Sequence, residues 1–424
     1  MRLLKGKIFY GWWIVLATNV ICLLGFGTWL YSFGVFFKPM MTEFGWTRAM
    51  TAGAASLRSV EGGVAGPVVG WAVDRYGGRV VIIVGAIISG LGFVMMTFVN
   101  SLLGFYIAYG VIVSIGMSAM LYLPAFTVIA YWFKRRLSLA LSVLAVGAGL
   151  GGLICAPASA VLIRYVGWRV AFLVIGVTIW VVVIPLALVV RNRPEEKGLR
   201  IDGDPPAKED QVAAGDRSGA AAVAGPETVR DFTIKEAMQS RAFWLLALTF
   251  FLQSVAYNVV IVHSIPAMTD AGISPGTAAF SFGLMTLVSV AGRMTFGTLG
   301  DFVDKRYLFM VTYCIMGLGV LVLMEATTMP LIYLFVALFG IGFGGTVPLM
   351  PAIRAEYFGR SAFGKVQGFM NPVVMLAGAT GPFAAGYFFD RTGSYHTSFL
   401  LAGLVVFGAA VTVFFARPSR LPAR

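Results

Sequence analysis

The amino-acid sequence predicts an all-α polytopic membrane protein of twelve transmembrane helices arranged as two six-helix halves. Three observations predict it. Apolar runs of about 20 residues recur almost from end to end, Lys and Arg gather in alternate connections between those runs, and the second half of the chain echoes the first.

The 424 residues are 58% hydrophobic and 12% charged, with a mean hydropathy of +0.85, whereas a soluble domain carries about 25% charge. Water would not keep such a surface dispersed, and each run is long enough to cross roughly 30 Å of hydrocarbon. The spans fall near 12–36, 50–73, 80–100, 102–130, 137–163 and 169–191, then 242–267, 278–300, 308–325, 329–353, 362–388 and 396–416. Tilt accommodates the longer ones. The first run is followed by Lys38 and Pro39 in place of a small-residue cleavage site, so it reads as a retained span.

Positive charge orients the spans. Of 32 Lys and Arg, 25 lie on the side holding both termini, five (Lys38, Arg48, Arg164, Arg169, Arg391) on the other, and two, Arg58 and Arg293, inside spans. Both termini and the long middle segment are therefore expected in the cytoplasm. The net charge of +13 forms no single patch, so no nucleic-acid partner is expected and Lys134-Arg135-Arg136 reads as a topology anchor. Cys22, Cys155 and Cys314 sit in apolar runs without disulfide or metal-ligand spacing and read as packing residues. No compact Ser/His/Asp, Cys/His or metal-ligand arrangement is present, so neither an enzyme nor a cofactor is expected.

The expected organisation is an N-terminal half over 1–191, a cytoplasmic linker over 192–241 and a C-terminal half over 242–424. The linker carries Pro194, Glu195 and Glu196, an Asp-Gly-Asp-Pro-Pro stretch at 202–206 and a small-residue run from Gly219 to Gly225, a composition that buries little. Its end, from Thr233 through Lys235, Glu236 and Met238 to Gln239, has the pattern of a short surface helix. At an offset of about 225–227 residues, Gly70-x3-Asp74 matches Gly297-x3-Asp301, Tyr131-x-Phe133 roughly matches Tyr357-Phe358, Pro157 matches Pro382, and Ala171-Phe172 matches Ser398-Phe399. Duplicated halves with a solute site between them near the midplane are a common plan for secondary carriers.

The block Gly70-Trp-Ala-Val-Asp74-Arg75-Tyr-Gly77-Gly78-Arg79, with a degenerate copy from Gly297 to Arg306, resembles the hallmark loop of the major facilitator superfamily. Tyr10-Gly11-Trp12-Trp13, Tyr31-x2-Gly34-Val35-Phe36, Glu43-Phe44-Gly45-Trp46, Tyr131-Trp-Phe-Lys134-Arg135-Arg136 and Arg293 resemble the bacterial branch related to monocarboxylate carriers and oxalate:formate exchangers. The resemblance implies the major facilitator fold, a place in the bacterial inner membrane, and an eighth-helix arginine, here Arg293, at the substrate carboxylate. The animal carriers pair that arginine with an aspartate one turn earlier, where this chain has Ser289. The resemblance also gives Asp74, Arg75, Arg79 and Asp301 a gating role.

The residues support the same direction. An arginine inside a span costs roughly 2.5–3.5 kcal/mol even on the lenient insertion scale, and a carboxylate suits its two-pronged guanidinium; an internal salt bridge, or snorkelling to the cytoplasmic end where Asp301 begins the next loop, is the alternative. Arg58 and Glu61, three apart, share one helix face and form either a structural clasp or part of a coupling relay. Tyr122 lies two residues before Pro124, whose ring bends a helix around a cavity, and Tyr31 is a further hydroxyl donor. The seventh span offers Gln253, Tyr257, Asn258 and His263; the eleventh offers Gln367 and Asn371, four apart. The Gly147-x-Gly149-x-Gly151-Gly152 run lacks a preceding strand and a phosphate-binding lysine, and reads as close helix packing. The expected function is secondary active transport of a small organic anion, a monocarboxylate by the family resemblance, with proton coupling or anion exchange, in a bilayer-embedded monomer. The alternatives are a proton-coupled exporter of amphipathic or cationic compounds and a nontransporting sensor.

Overall fold

The structure is a computed structural model describing residues 9–203, 234–300, 302–358 and 363–418. The described chain is helical almost throughout: α1 (Tyr10–Phe44), α2 (Arg48–Tyr76), α3 (Gly78–Met96), α4 (Leu102–Trp132) and α5 (Leu137–Thr178), the last continued by the turns Ile179–Val183 and Ile184–Val189. After the short α6 (Ile234–Gln239), which falls on the surface helix expected before the seventh span, come α7 (Arg241–Asp270), α8 (Pro275–Leu299), α9 (Lys305–Met324), α10 (Met329–Phe358), α11 (Phe363–Thr392) and α12 (His396–Phe415). Helices close every backbone hydrogen bond within the segment, which is the requirement for crossing hydrocarbon.

Local chemistry sets the boundaries. Gly45, at φ 65°, ends α1 in the left-handed region, which glycine enters without a Cβ clash. Thr47, Ser240 and Ser274 then cap α2, α7 and α8 by accepting the N–H groups of Met50, Phe243 and Thr277, and Pro275 occupies a first-turn position whose N–H has no helical acceptor anyway.

Among the described residues, ten helical stretches are long and apolar enough to cross a bilayer. Two of the expected crossings do not stand out separately. The fifth and sixth run together over Leu139–Val189, bent at Gly167 (φ 78°, ψ 164°). Helix α2 is 29 residues long, but Arg58, Glu61, Asp74 and Arg75 dilute its apolar character. Large apolar side chains such as Val68, Trp71, Leu103, Phe302 and Phe415 point outward, a surface suited to lipid.

Two large cores form. One draws on positions from Ile14 to Val190 with Val262, the other on positions from Ala237 to Ala416 with Tyr31, Val35, Ala156 and Ala160. Glycines let helices from the two regions touch. Gly152 on α5 and Gly283 on α8 lie backbone to backbone, and the Thr286 hydroxyl donates to the Gly149 carbonyl at 2.7 Å. The glycine run of α5 is thus a packing face.

Three stretches, Gly27–Tyr31 in α1, Tyr106–Val113 in α4 and Ile179–Val183 after α5, adopt the wider π turn. Helix α4 also breaks at Leu121 (φ −92°, ψ −134°), three residues before Pro124, whose nitrogen cannot donate to the preceding turn.

The front of the middle segment departs from the expectation of a loose linker. The Trp132 indole N–H donates to the Arg191 carbonyl at 2.8 Å, the Asn192 side chain accepts the Arg79 N–H at 3.0 Å, and Asp202 accepts the N–H groups of Lys134 and Arg135 at 3.2 and 2.9 Å. The basic run therefore also binds this segment. Residues 204–233, including the small-residue run, lie outside the described structure.

Burial opposes ionisation of Asp202, but the Arg135 and Lys134 N–H groups outweigh it and hold the carboxyl below its ordinary value. A depressed acid contributes stability above its unfolded pKa, about 3.9 for aspartate, and loses it as pH falls through the lower folded value. The segment is therefore expected to stay docked at neutral pH. Asp202→Asn should raise tryptic cleavage after Lys197 and Arg200 severalfold at pH ~7, and an unchanged cleavage rate would remove Asp202 from this role.

Candidate solute-binding site

The π turn of α1 positions the first site residues. An i→i+5 turn carries one extra residue and turns a carbonyl out of the regular ladder. Here the Trp29 carbonyl accepts the Tyr109 hydroxyl from the π stretch of α4 at 2.5 Å, while Gly27 accepts the Ser32 N–H at 2.9 Å and its hydroxyl at 2.7 Å. Tyr31, the last residue of this turn, is buried with its ring edge-on to Phe282 of α8, 6.0 Å between centroids.

Tyr31 links both sides of the molecule. Tyr257 of α7 and the Arg293 guanidinium of α8 both act on its hydroxyl electrostatically. Tyr257 is held flat against Phe343 of α10, 4.5 Å between ring centroids. Arg293 is half-buried, and its Nε is buried without a hydrogen-bond partner. No described carboxylate pairs with it. Asp301, the alternative partner, lies outside the described residues.

Arg58 of α2 faces the same region. It is 4% exposed, lies 5.3 Å from the Trp29 ring and 6.0 Å from the Phe33 ring, and interacts with the Tyr109 and Tyr257 hydroxyls. It does not form an ion pair with Glu61. Glu61 Oε2 instead accepts the Ser118 hydroxyl at 3.1 Å, and both Glu61 Oε1 and Arg58 Nη1 are buried without partners. Mutual neutralisation across one helix face is therefore not what the side chains do.

The other expected residues fall in different places. Asn258 donates to the Ser254 carbonyl at 2.9 Å and hydroxyl at 3.3 Å, spending its amide on its own helix. Asn371 is exposed, and the side chains of Tyr122 and Gln367 lie outside the described structure. Asp74 and Arg75 are exposed at the end of α2, and the Arg79 backbone N–H is held by Asn192. Gln253 is buried on α7.

His263 belongs to a second constellation, on the face of the protein opposite the termini. Arg48 Nη1 donates to the Tyr395 hydroxyl at 2.5 Å, and that hydroxyl lies 3.0 Å from His263 Nδ1, while His263 Nε2 lies 2.9 Å from the Pro382 carbonyl. A carbonyl only accepts, so Nε2 carries the ring proton; the Tyr395 hydroxyl accepts from Arg48 and donates to Nδ1. Both ring nitrogens are engaged, and His263 has none left for a solute.

Around this chain, Asp270 accepts both Lys38 Nζ and Arg48 Nη2 at 2.6 Å. Asp390 accepts the Arg48 and Ala49 N–H groups at 2.9 Å each, so a carboxylate from α11 caps the N-terminus of α2, where the helix dipole favours negative charge. The Arg48 guanidinium lies 3.7 Å from the Phe389 ring. Sequence reading counted Lys38 and Arg48 as topology charges and did not single out Asp270, Asp390, Tyr395 or Tyr109. The only sequence signal was the placement of charges at span ends.

Residues 15–291 and 247–424 each match the Major Facilitator Superfamily. The chain belongs to this superfamily. It is similar to human monocarboxylate transporter 11, 28% identical over 97% of this chain and 84% of that protein, and to mouse monocarboxylate transporter 12, 26% identical over 96% and 86%. Bovine monocarboxylate transporter 13 is 27% identical over 93% of this chain and 86% of that one. Its fold is similar to the crystal structure of a bacterial homolog of the human lysosomal transporter Spinster in an inward-facing, occupied conformation, with TM-score 0.72, 16% identity and 97% of each chain covered. As a major facilitator protein it is a secondary transporter of the multi-pass membrane class, not an enzyme.

In this facilitator the Tyr395 hydroxyl serves Arg48 and His263 at once. Tyr395→Phe is expected to cost about 1.5–3 kcal/mol, the usual value of a hydrogen bond to a charged group, read as a fall of several degrees in the thermal unfolding of detergent-solubilised protein. An unaltered midpoint would mean that the hydroxyl contributes nothing.

Proposed function

We propose that this facilitator moves a small organic anion bearing a carboxylate across a bacterial cytoplasmic membrane by alternating access, with Arg293 as its primary anion-binding group. The observation that carries this reading is a half-buried guanidinium with an unpartnered Nε beside the hydroxyl pair Tyr31–Tyr257. A carboxylate supplies the missing charge and accepts the hydroxyls. The names of the curated relatives, monocarboxylate transporters, point to the same class of cargo.

The proposed architecture has twelve crossings. It counts α2 as a crossing and divides the stretch over 137–189 at Gly167, giving six before the 192–241 segment and six after it, with both termini cytoplasmic. The two hydrophobic cores support the division. Glu61 is the proposed proton-coupling group, since it is buried, keeps an unpartnered oxygen and lacks an ion pair with Arg58.

The far-face network is the proposed outer gate. Lys38, Arg48 and Ala49 come from the first half, and Asp270, Asp390 and Tyr395 from the second, so opening that face separates opposite charges. Asp74 and Arg75, exposed here, are the proposed inner clasp, with Arg79 and Asp301 completing it.

Proteoliposomes loaded against labelled carboxylates test the binding assignment. Saturable uptake is expected in the wild type and at least a tenfold loss of kcat/KM in Arg293→Gln, equivalent to about 1.4 kcal/mol. Glu61→Gln should abolish accumulation driven by a pH gradient while leaving counter-exchange measurable. Undiminished saturable uptake in Arg293→Gln would sink its role, and undiminished pH-driven accumulation in Glu61→Gln would sink the coupling role.

The gate has its own readout. In a protein with Cys22, Cys155 and Cys314 replaced, Ser264→Cys places a thiol at a fully buried position next to His263. Adding Asp270→Asn should raise its labelling by a membrane-impermeant maleimide from the far side severalfold, because Lys38 and Arg48 both lose the carboxylate they share. Equal labelling in both backgrounds would exclude Asp270 as a gate residue.

A further inference from the structure

A cavity of about 850 Å³ lies where α1, α5, the end of α7 and the start of α8 meet, on the face opposite the termini. That volume is in the range of ligand pockets. None of Tyr31, Tyr257 or Arg293 lines it; Val35, Ala160, Val161, Ile163 and Ile265 give it apolar walls, with Lys38, Glu43, Arg164 and Gly276 among them. Two of the helices belong to the first half of the chain and two to the second.

The polar groups of the cavity leave it electropositive. Glu43 is engaged by Arg169 at 2.7 Å and by the Trp168 indole, and Lys38 is paired with Asp270 at 2.6 Å. Arg164 has no carboxylate partner among the described residues. The ring nearest its guanidinium, that of Tyr165, is 5.9 Å away and attracts a cation only weakly. At the start of α8, Ser274 accepts the Thr277 N–H and Pro275 has no N–H to give, so the Gly276 N–H is left without a helical acceptor. Nothing lies within 4 Å of where a Gly276 Cβ would stand. The cavity thus joins apolar walls to a free guanidinium and to the positive end of a 25-residue helix.

A small free anion gains nothing from apolar walls, whereas an acyl chain does. The lining residue Val161 is exposed, and Tyr165, one turn further along α5, is 77% exposed beside Arg164. An exposed aromatic and an arginine at the end of an apolar span mark the boundary between lipid and water. We infer that this cleft binds an acidic phospholipid of the leaflet on that side, its phosphate held by Arg164 and the Gly276 N–H and an acyl chain laid along Val35, Ile163 and Ile265. An occupant touching both halves favours the arrangement in which its walls are assembled, and Lys38 connects the cleft to the far-face network. The inference holds whatever the cargo is.

Purified, full-length protein stripped of lipid in a neutral detergent tests it, given phosphatidylglycerol or phosphatidylcholine with the same chains. Native mass spectrometry counts the lipid retained, and thermal unfolding reports stabilisation. The wild type is expected to hold one phosphatidylglycerol about fivefold more tightly than phosphatidylcholine, the worth of one arginine near an acidic headgroup, and to unfold at a higher temperature with it bound. Arg164→Gln should lose that preference. Gly276→Leu, which fills the open space at the start of α8 and keeps Arg164, should lose the tightly held lipid as well. Each variant's midpoint without lipid reports its folding, and the Gly276→Leu result stands alone where Arg164→Gln does not fold. Equal retention of the two lipids by the wild type overturns the inference, as does an unchanged preference in either folded variant. Glycerol phosphate, the headgroup without chains, should not raise the midpoint; stabilisation equal to that by the lipid would make this a site for a free anion and overturn the lipid assignment.

Discussion

A charge in hydrocarbon must meet an opposite charge, a dense set of hydrogen bonds or water, because the protein recovers little of the hydration energy by itself. This facilitator meets that constraint in two opposite ways. At the face opposite the termini, Asp270 holds two cations, Asp390 holds the start of α2, and Tyr395 passes a hydrogen bond from Arg48 to His263. Deeper in, Arg58 and Arg293 each keep a buried nitrogen with no partner among the described residues. The first arrangement is complete without cargo. The second leaves room for the anion of the proposed function.

The backbone obeys the same accounting. Regular helices hide their peptide groups, and a lipid-exposed departure from the ladder would leave them unsatisfied. The departures in α1 and α4 face each other inside the protein, where the Tyr109 hydroxyl takes up the Trp29 carbonyl. That exchange anchors the turn ending in Tyr31, whose ring meets Phe282 of the second half of the chain.

Much of the fold was legible because each span repeats one physical requirement, an apolar run of about 20 residues, and because Gly45, Thr47, Ser240 and Ser274 are the residue types that end and cap helices. Arg293 was legible for a related reason: a lone charge in an apolar span is conspicuous. Helix α2 was read as a span over 50–73 although Arg58 and Glu61 lower the hydropathy that marks one. The π turns carry no sequence signature. Arg58 and Glu61 were noticed as neighbours, but spacing along one helix gives proximity without giving side-chain direction, and Ser118 on another helix decides where Glu61 points. The far-face network was invisible for a stronger reason. Arg48 and Asp390 are separated by 342 positions, and a charge at a span end signals topology before it signals a partner.

The two arrangements constrain one another. A solute shifts a conformational equilibrium only by the difference between its affinities for the two states, and a swing from 1:99 to 99:1 takes about 5.5 kcal/mol of such difference. Hydrogen bonds to charged groups are worth about 1.5–3 kcal/mol each, so the proposed opening of the far face would set a demand of that order. Cargo touching one half alone would ride with it through the rocking motion, bind both states equally and supply nothing. In the proposed site, contacts drawn from Tyr31 on one side and Tyr257 and Arg293 on the other would change when the halves move. On the proposed reading, binding groups on both sides of the junction would let occupancy of the site bear on the proposed gate at the opposite face.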